Sequence, residues 1–72
     1  MANKINPQKL LLSKWTAVKP DKKELHFIVT ELVENDEGEI IACMLEAVMT
    51  RNVTSINWHE LKNTDNWLMG WK

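Results

Sequence analysis

Four tryptophans, two histidines and one cysteine are the residues of this chain whose types could carry chemistry. Trp58, Trp67 and Trp71 fall within fourteen positions, in the stretch NWHELKNTDNWLMGW at residues 57–71. An indole ring either fills a core or stands open as a platform on which bases stack, with neighbouring lysine or arginine holding phosphates. Each ring buries roughly 150–250 Å², so in a small domain two or three of them can decide whether it folds. Leaving all of them open would create an apolar patch larger than monomers usually carry. Most are therefore expected to be core and cover, with one or two partly open. Trp15, beside Lys14, and Trp71, beside Lys72, are the candidates for open rings.

Other chemistry finds less support. Cys43 could pair with His26 or His59 as thiol and imidazole. In the hairpin register argued below Cys43 faces Thr30, four residues from His26, which is ~13 Å along a strand. Proton transfer needs about 2.6–3.2 Å. His59 belongs to another element and escapes that argument, but Cys43 sits in an apolar run, where a thiol is normally inert. Positions 26, 43 and 59 lack the close ligand spacing of zinc sites, so no metal centre is expected. Glu34 and Glu39 flank a turn that contains Asp36 and Glu37, which reads as a solvated tip that discourages edge pairing. Glycine occurs only at positions 38 and 70, so there is no loop to cradle a phosphate. The chain is read as non-enzymatic, with no catalytic residue and no cofactor.

A chain of 72 residues holds one domain, 1–72, with residues 1–5 a candidate disordered lead-in. Its 44% hydrophobic and 26% charged residues are a globular composition. A single cysteine forbids an intrachain disulfide, which favours a reducing, cytoplasmic setting. The apolar run at residues 10–12 is too short for a signal peptide, and no stretch approaches the ~20 residues of a membrane span. The net charge of −1 is unevenly spread: +5 over residues 1–23, −7 over 24–50 and +1 over 51–72.

The elements that must position these side chains are mostly strands. Asn6-Pro7 is a helix-start signal, which predicts a helical turn over residues 7–12. KWTAV (14–18) reads as a strand stopped by Lys19-Pro20, and PDKK (20–23) as a turn. LHFIVTELVE (25–34) is the clearest strand. NDEG (35–38) follows, with Gly38 in the left-handed position of a type I turn with a bulge. For EIIACMLEAVMT (39–50) hairpin placement argues strand while its alanine, methionine, leucine and glutamate content argues helix; the strand is preferred. With Asn35 opposite Gly38, Leu32 faces Ile41, Thr30 faces Cys43, Ile28 faces Leu45 and His26 faces Ala47. Both faces of that hairpin are substantially apolar, so it is expected to curl or to be covered on its second face. VTSI (53–56) makes a short strand, Asn57-x-x-Glu60 has the spacing of a capping box, and WLMGW (67–71) is extended.

INPQKLLLSKWTAVKP, KELHFIVTELV, GEIIACMLEAVMTR and WHELKNTDNWLMGW together resemble a family of small tryptophan-rich bacterial proteins, a conserved hypothetical family with a domain of unknown function, mainly from gamma-proteobacteria and cyanobacteria. The resemblance runs from Ile5 to Trp71. It implies a stand-alone bacterial cytoplasmic protein and carries no activity, cofactor or functional residue.

The fold expected is mainly β: an antiparallel sheet of four to five strands curled into a partial barrel, with one or two short helical turns. The function expected is a binding module. RNA or single-stranded nucleic acid is the first partner, held by Lys14, Trp15, Trp71 and Lys72. The alternative is a protein-interaction or homo-oligomeric assembly module using the apolar second face of the hairpin, Phe27, Val29, Met44 and Val48.

Overall fold

The computed structural model describes residues 3–21 and 24–72. Five antiparallel strands, β1 (Lys14–Asp21), β2 (Glu24–Glu34), β3 (Ile40–Ala47), β4 (Val53–Ile56) and β5 (Trp67–Met69), form one sheet in the order β4-β3-β2-β1-β5. Two 3₁₀ turns, Pro7–Lys9 and Trp58–Lys62, complete the regular structure. The sheet does not close, since β4 and β5 are its two edges. It curls enough that one cavity is lined by Ala17 of β1, Trp67 of β5 and Ile56 of β4.

Local chemistry explains most of these boundaries. Asn6 caps the first 3₁₀ turn by accepting a hydrogen bond from the Gln8 amide at 3.1 Å, with Pro7 at the position that lacks an intrahelical donor duty. The turn stops at Lys9, shorter than expected, and the chain reverses through Leu12 at φ 65°. Strand β1 runs on to Asp21, past the expected stop at residues 19–20. Pro20 is tolerated because the β1–β2 ladder is irregular between Thr16 and Asp21, so no ladder donor is required of it. Lys22 and Lys23, half of the expected 20–23 turn, lie outside the described residues. Residues 39–50 are strand and turn rather than helix, β3 taking 40–47.

The β2–β3 hairpin departs from the expected register. Asn35 pairs with Glu39, not Gly38: the Asn35 amide donates to Glu39 O at 2.9 Å and the Gly38 amide to Asn35 O at 3.0 Å. Gly38 does take the left-handed position, at φ 80°. Two further offsets follow. Ile41 is an extra residue on β3, between the pairs Glu34–Ile40 and Val33–Ala42. Thr30 is an extra residue on β2, between Glu31–Met44 and Val29–Leu45. Both are exposed, and being on opposite strands they cancel. As a result Leu32, not Thr30, faces Cys43, and Val29, not Ile28, faces Leu45.

The two bulges decide the core. Strict alternation would send Val29 and Leu32 to opposite faces, and likewise Ile40 and Cys43. With Thr30 and Ile41 bulged, all four join one cluster with Leu10, Trp15, Leu45, Trp58 and Leu61, against which Phe27, Ile56 and Trp67 pack. The expected protein-contact face is therefore broken up. Val29 is wholly buried and Phe27 packs on the core, Met44 belongs to the opposite face, and Val48 lies beyond the end of β3. Asn3 and Ile5, expected in a disordered lead-in, are held: Asn3 Nδ2 donates to Leu61 O and Trp67 O, and Ile5 packs on the core.

Candidate functional site

Alternation along β1 separates the two candidate rings. Trp15 pairs with Phe27 and so faces the core, whereas Lys14 pairs with Ile28 and Thr16 with His26 on the outer face. Trp15 is 1% exposed, and its indole N–H donates to Ser13 Oγ at 2.8 Å. It is structural, and the reading of Trp15 as an open stacking ring is corrected by its position on the buried side of β1.

Trp71 is different: it is 44% exposed and folded back across the outer face. Gly70, at φ 80°, turns the chain there, its amide donating to Lys14 O at 2.8 Å. Thr16, the buried polar residue of the outer face, ties the tail down. Its Oγ1 donates to Gly70 O at 2.7 Å and accepts from the Lys72 amide at 2.9 Å. The Trp71 indole N–H donates to Phe27 O at 3.0 Å. Lys14 Nζ lies 4.8 Å from the centre of the Trp71 ring, within cation–π range. The His26 ring sits 5.8 Å away, tilted by 37°, and its Nε2–H donates to Lys72 O at 3.0 Å. The structure thus brings Lys14, Trp71 and Lys72 together, adds His26, and leaves Trp15 on the other side of the sheet. The sequence considered His26 only as a partner for Cys43; its place beside Trp71 follows from the β1–β2 pairing, which the sequence did not specify.

The remaining tryptophans pack on or into the core. The Trp58 indole N–H donates to Ile40 O at 2.8 Å, the ring stacks with His59 at 3.9 Å between centres, and Lys62 Nζ lies 5.1 Å from its centre. Asn57 Oδ1 accepts from the His59 amide rather than from Glu60, so the local cap is tighter than a capping box. Trp67 meets Phe27 edge to face at 5.3 Å.

Cys43 opposes Leu32, six residues along β2 from His26, and is fully buried. Burial pushes its thiol up to about 11, and the nearby Glu60 carboxylate adds to the effect. Among the described residues no group of three histidine, cysteine, aspartate or glutamate side chains is arranged to hold a metal ion.

Two concave regions bear on the site, one remote from Trp71 and one beside it. A cavity of about 360 Å³ opens between the sheet edges, lined by Ala17, Lys19, Ile56, Glu60, Asn63, Asn66 and Trp67. A second groove, beside the outer-face site, is lined by Leu25, His26, Val48 and Met49.

A family model described as tryptophan-rich protein (DUF2389) matches residues 13–72. No curated protein and no solved structure matches the chain.

Proposed function

Because the chain belongs to the tryptophan-rich protein family DUF2389, whose function is unknown, we propose from its geometry that it is a non-enzymatic, cytoplasmic binding module for single-stranded RNA or DNA. The observation that carries this reading is Trp71, a half-open ring already fixed in place by its hydrogen bond to Phe27 O, with Lys14 over it and Lys72 adjoining it. A base stacks on such a ring for about 1–3 kcal/mol, and little ordering entropy is lost because the ring is already held. The Lys14 ammonium, on a flexible stem, swings from the ring to a phosphate when a base takes its place. Asp36, Glu37 and Glu39 lie in and beside the β2–β3 turn, while Glu46 shares the outer face, paired with the Ile28 that also pairs with Lys14. Two lysines predict weak, salt-sensitive binding. Neutralising about two phosphates gives a log–log salt slope of about −1.4 for a single strand.

The test is to follow the four indole N–H resonances by NMR while adding a mixed RNA oligonucleotide pool at low and at physiological salt. The reading predicts a selective Trp71 shift that weakens with salt and is lost in Lys14→Gln. A Trp71 resonance indifferent to the pool at low salt sinks it.

A second reading, protein contact, has its own observation: Leu25, Val48 and Met49 are 37%, 39% and 78% exposed along the groove beside His26. Its signature is association that holds or strengthens with salt.

A further inference from the structure

The cavity between the sheet edges is independent of Trp71, because Ala17 and Trp67 pair on the core-facing side of β1 and β5. Its floor is apolar, formed by Ala17, Ile56 and the Trp67 ring, which Phe27 holds edge to face. Its rim carries charges of both signs, Lys19 and Glu60, together with the amides of Asn63 and Asn66. The two charges do not pair with each other, the ion pair found among the described residues being Arg51–Glu46 at 3.8 Å. Asn63 Oδ1 already accepts from the Asp65 amide at 2.9 Å, which leaves its side-chain N–H groups to donate into the cavity.

A cavity lined by a cation and an anion that do not pair with each other, by side-chain amides and by an aromatic ring matches a ligand that carries both charges and an apolar body. We propose that this cavity binds a small zwitterion of the α-amino acid class. The ligand ammonium faces Glu60, its carboxylate faces Lys19 and the Asn63 amide, and its side chain lies on Ala17, Ile56 and Trp67. A volume of about 360 Å³ suits a molecule of that size at the low end of small-molecule sites. A ligand with a single charge pairs with one of these two side chains and forgoes the other, so it binds more weakly than a ligand that carries both charges.

The experiment is an NMR titration of the whole chain with L-phenylalanine and L-leucine, read at the Trp67 indole N–H. The controls are 3-phenylpropionate, which lacks the ammonium, and phenethylamine, which lacks the carboxylate. The proposal expects a saturable Trp67 shift with the amino acids and at least about tenfold weaker binding of both one-charge analogues. Lys19→Gln and Glu60→Gln should each weaken the amino acids by a similar factor. Both side chains are exposed, and the unchanged pattern of the other three indoles checks that each variant folds. No Trp67 shift with either amino acid, or analogues that bind as tightly as L-phenylalanine, overturns the proposal. The Trp71 resonance reports separately on the nucleic-acid reading, so failure of one is not mistaken for failure of the other.

Discussion

Cys43 lies fully buried between Leu32 on β2 and Ile56 on β4, and its thiol is pushed up from an ordinary 9.0 to about 11 by burial first and by Glu60 second. A raised thiol is a neutral thiol, and only the thiolate attacks. At pH 8 a disulfide reagent should therefore modify Cys43 only as fast as the protein opens, while the unfolded chain reacts at once. Rapid modification of the folded protein would refute this. The same shift fixes a pH dependence. Between pH 9 and 11 the unfolded chain has lost the thiol proton while the folded chain still holds it, so stability falls as pH rises through that window. Chemical denaturation of Cys43→Ala should show a shallower fall over that range than the parent protein. Equal slopes would mean that the burial of the thiol has no thermodynamic weight. The burial of Cys43 was legible in the sequence, because a lone cysteine inside an apolar run is expected to be desolvated. The role of Trp15 was not. Nothing in Lys14-Trp15 says which of two adjacent residues in a strand turns inward, since that parity is set by partners far along the chain.

At the level of elements, the β2–β3 hairpin shows where sequence reasoning reaches its limit. Strand positions and the left-handed Gly38 follow from local chemistry, and the strand character of residues 40–47 from their place after a hairpin turn, against their helix-favouring composition. The register does not, because one added residue in the turn and two opposed bulges change the parity of every side chain between them. The apparent excess of apolar residues on both faces was the visible trace of those bulges: Phe27, Val29 and Leu32 change parity once, and so do Ile40, Cys43 and Leu45. A pair of substitutions separates the flush register from the bulged one. Ile41→Lys places a charge on a bulge residue that is 47% exposed, and should change stability by no more than about 0.5 kcal/mol. Val29→Ala removes buried methyl groups at 0% exposure and should cost about 1–3 kcal/mol. Urea midpoints measure both, and the reverse ranking is what the flush register demands. Gly38 gives a second test on the same element. A Cβ there meets nothing within 4 Å, so Gly38→Ala should cost only the left-handed backbone strain, about 1–2 kcal/mol, and Gly38→Asn distinctly less. Equal cost for alanine and asparagine would place the penalty in crowding rather than in φ.

The molecule as a whole is a single sheet whose β5 edge is held by Asn3 on one side and by residues 70–72 on the other. β5, three residues long, pairs only with β1, more than forty-five residues earlier in the chain. Such a strand contributes few contacts of its own, and short edge strands tend to open locally before the rest unfolds. Two clasps hold it. On the core side the Asn3 amide donates to Lys62 O at 2.9 Å, and its side chain bridges Leu61 O and Trp67 O. On the outer side Gly70, Trp71 and Lys72 bond to Lys14, Phe27 and Thr16. Trp67 and Trp71 both sit within reach of these clasps, so the walls of the two candidate sites share one fastening. Asn3→Ala removes the two side-chain bonds and should lower stability by about 2 kcal/mol while leaving the dependence on denaturant unchanged, as expected if the clasp belongs to one cooperative unit. Indole resonances resolve the alternative. If Trp67 and Trp71 lost their native shifts at lower urea than Trp15 and Trp58, β5 would be opening ahead of the core, and the sites would be gated by that strand rather than fixed by the fold. Coincident loss of all four is the outcome that the two clasps predict.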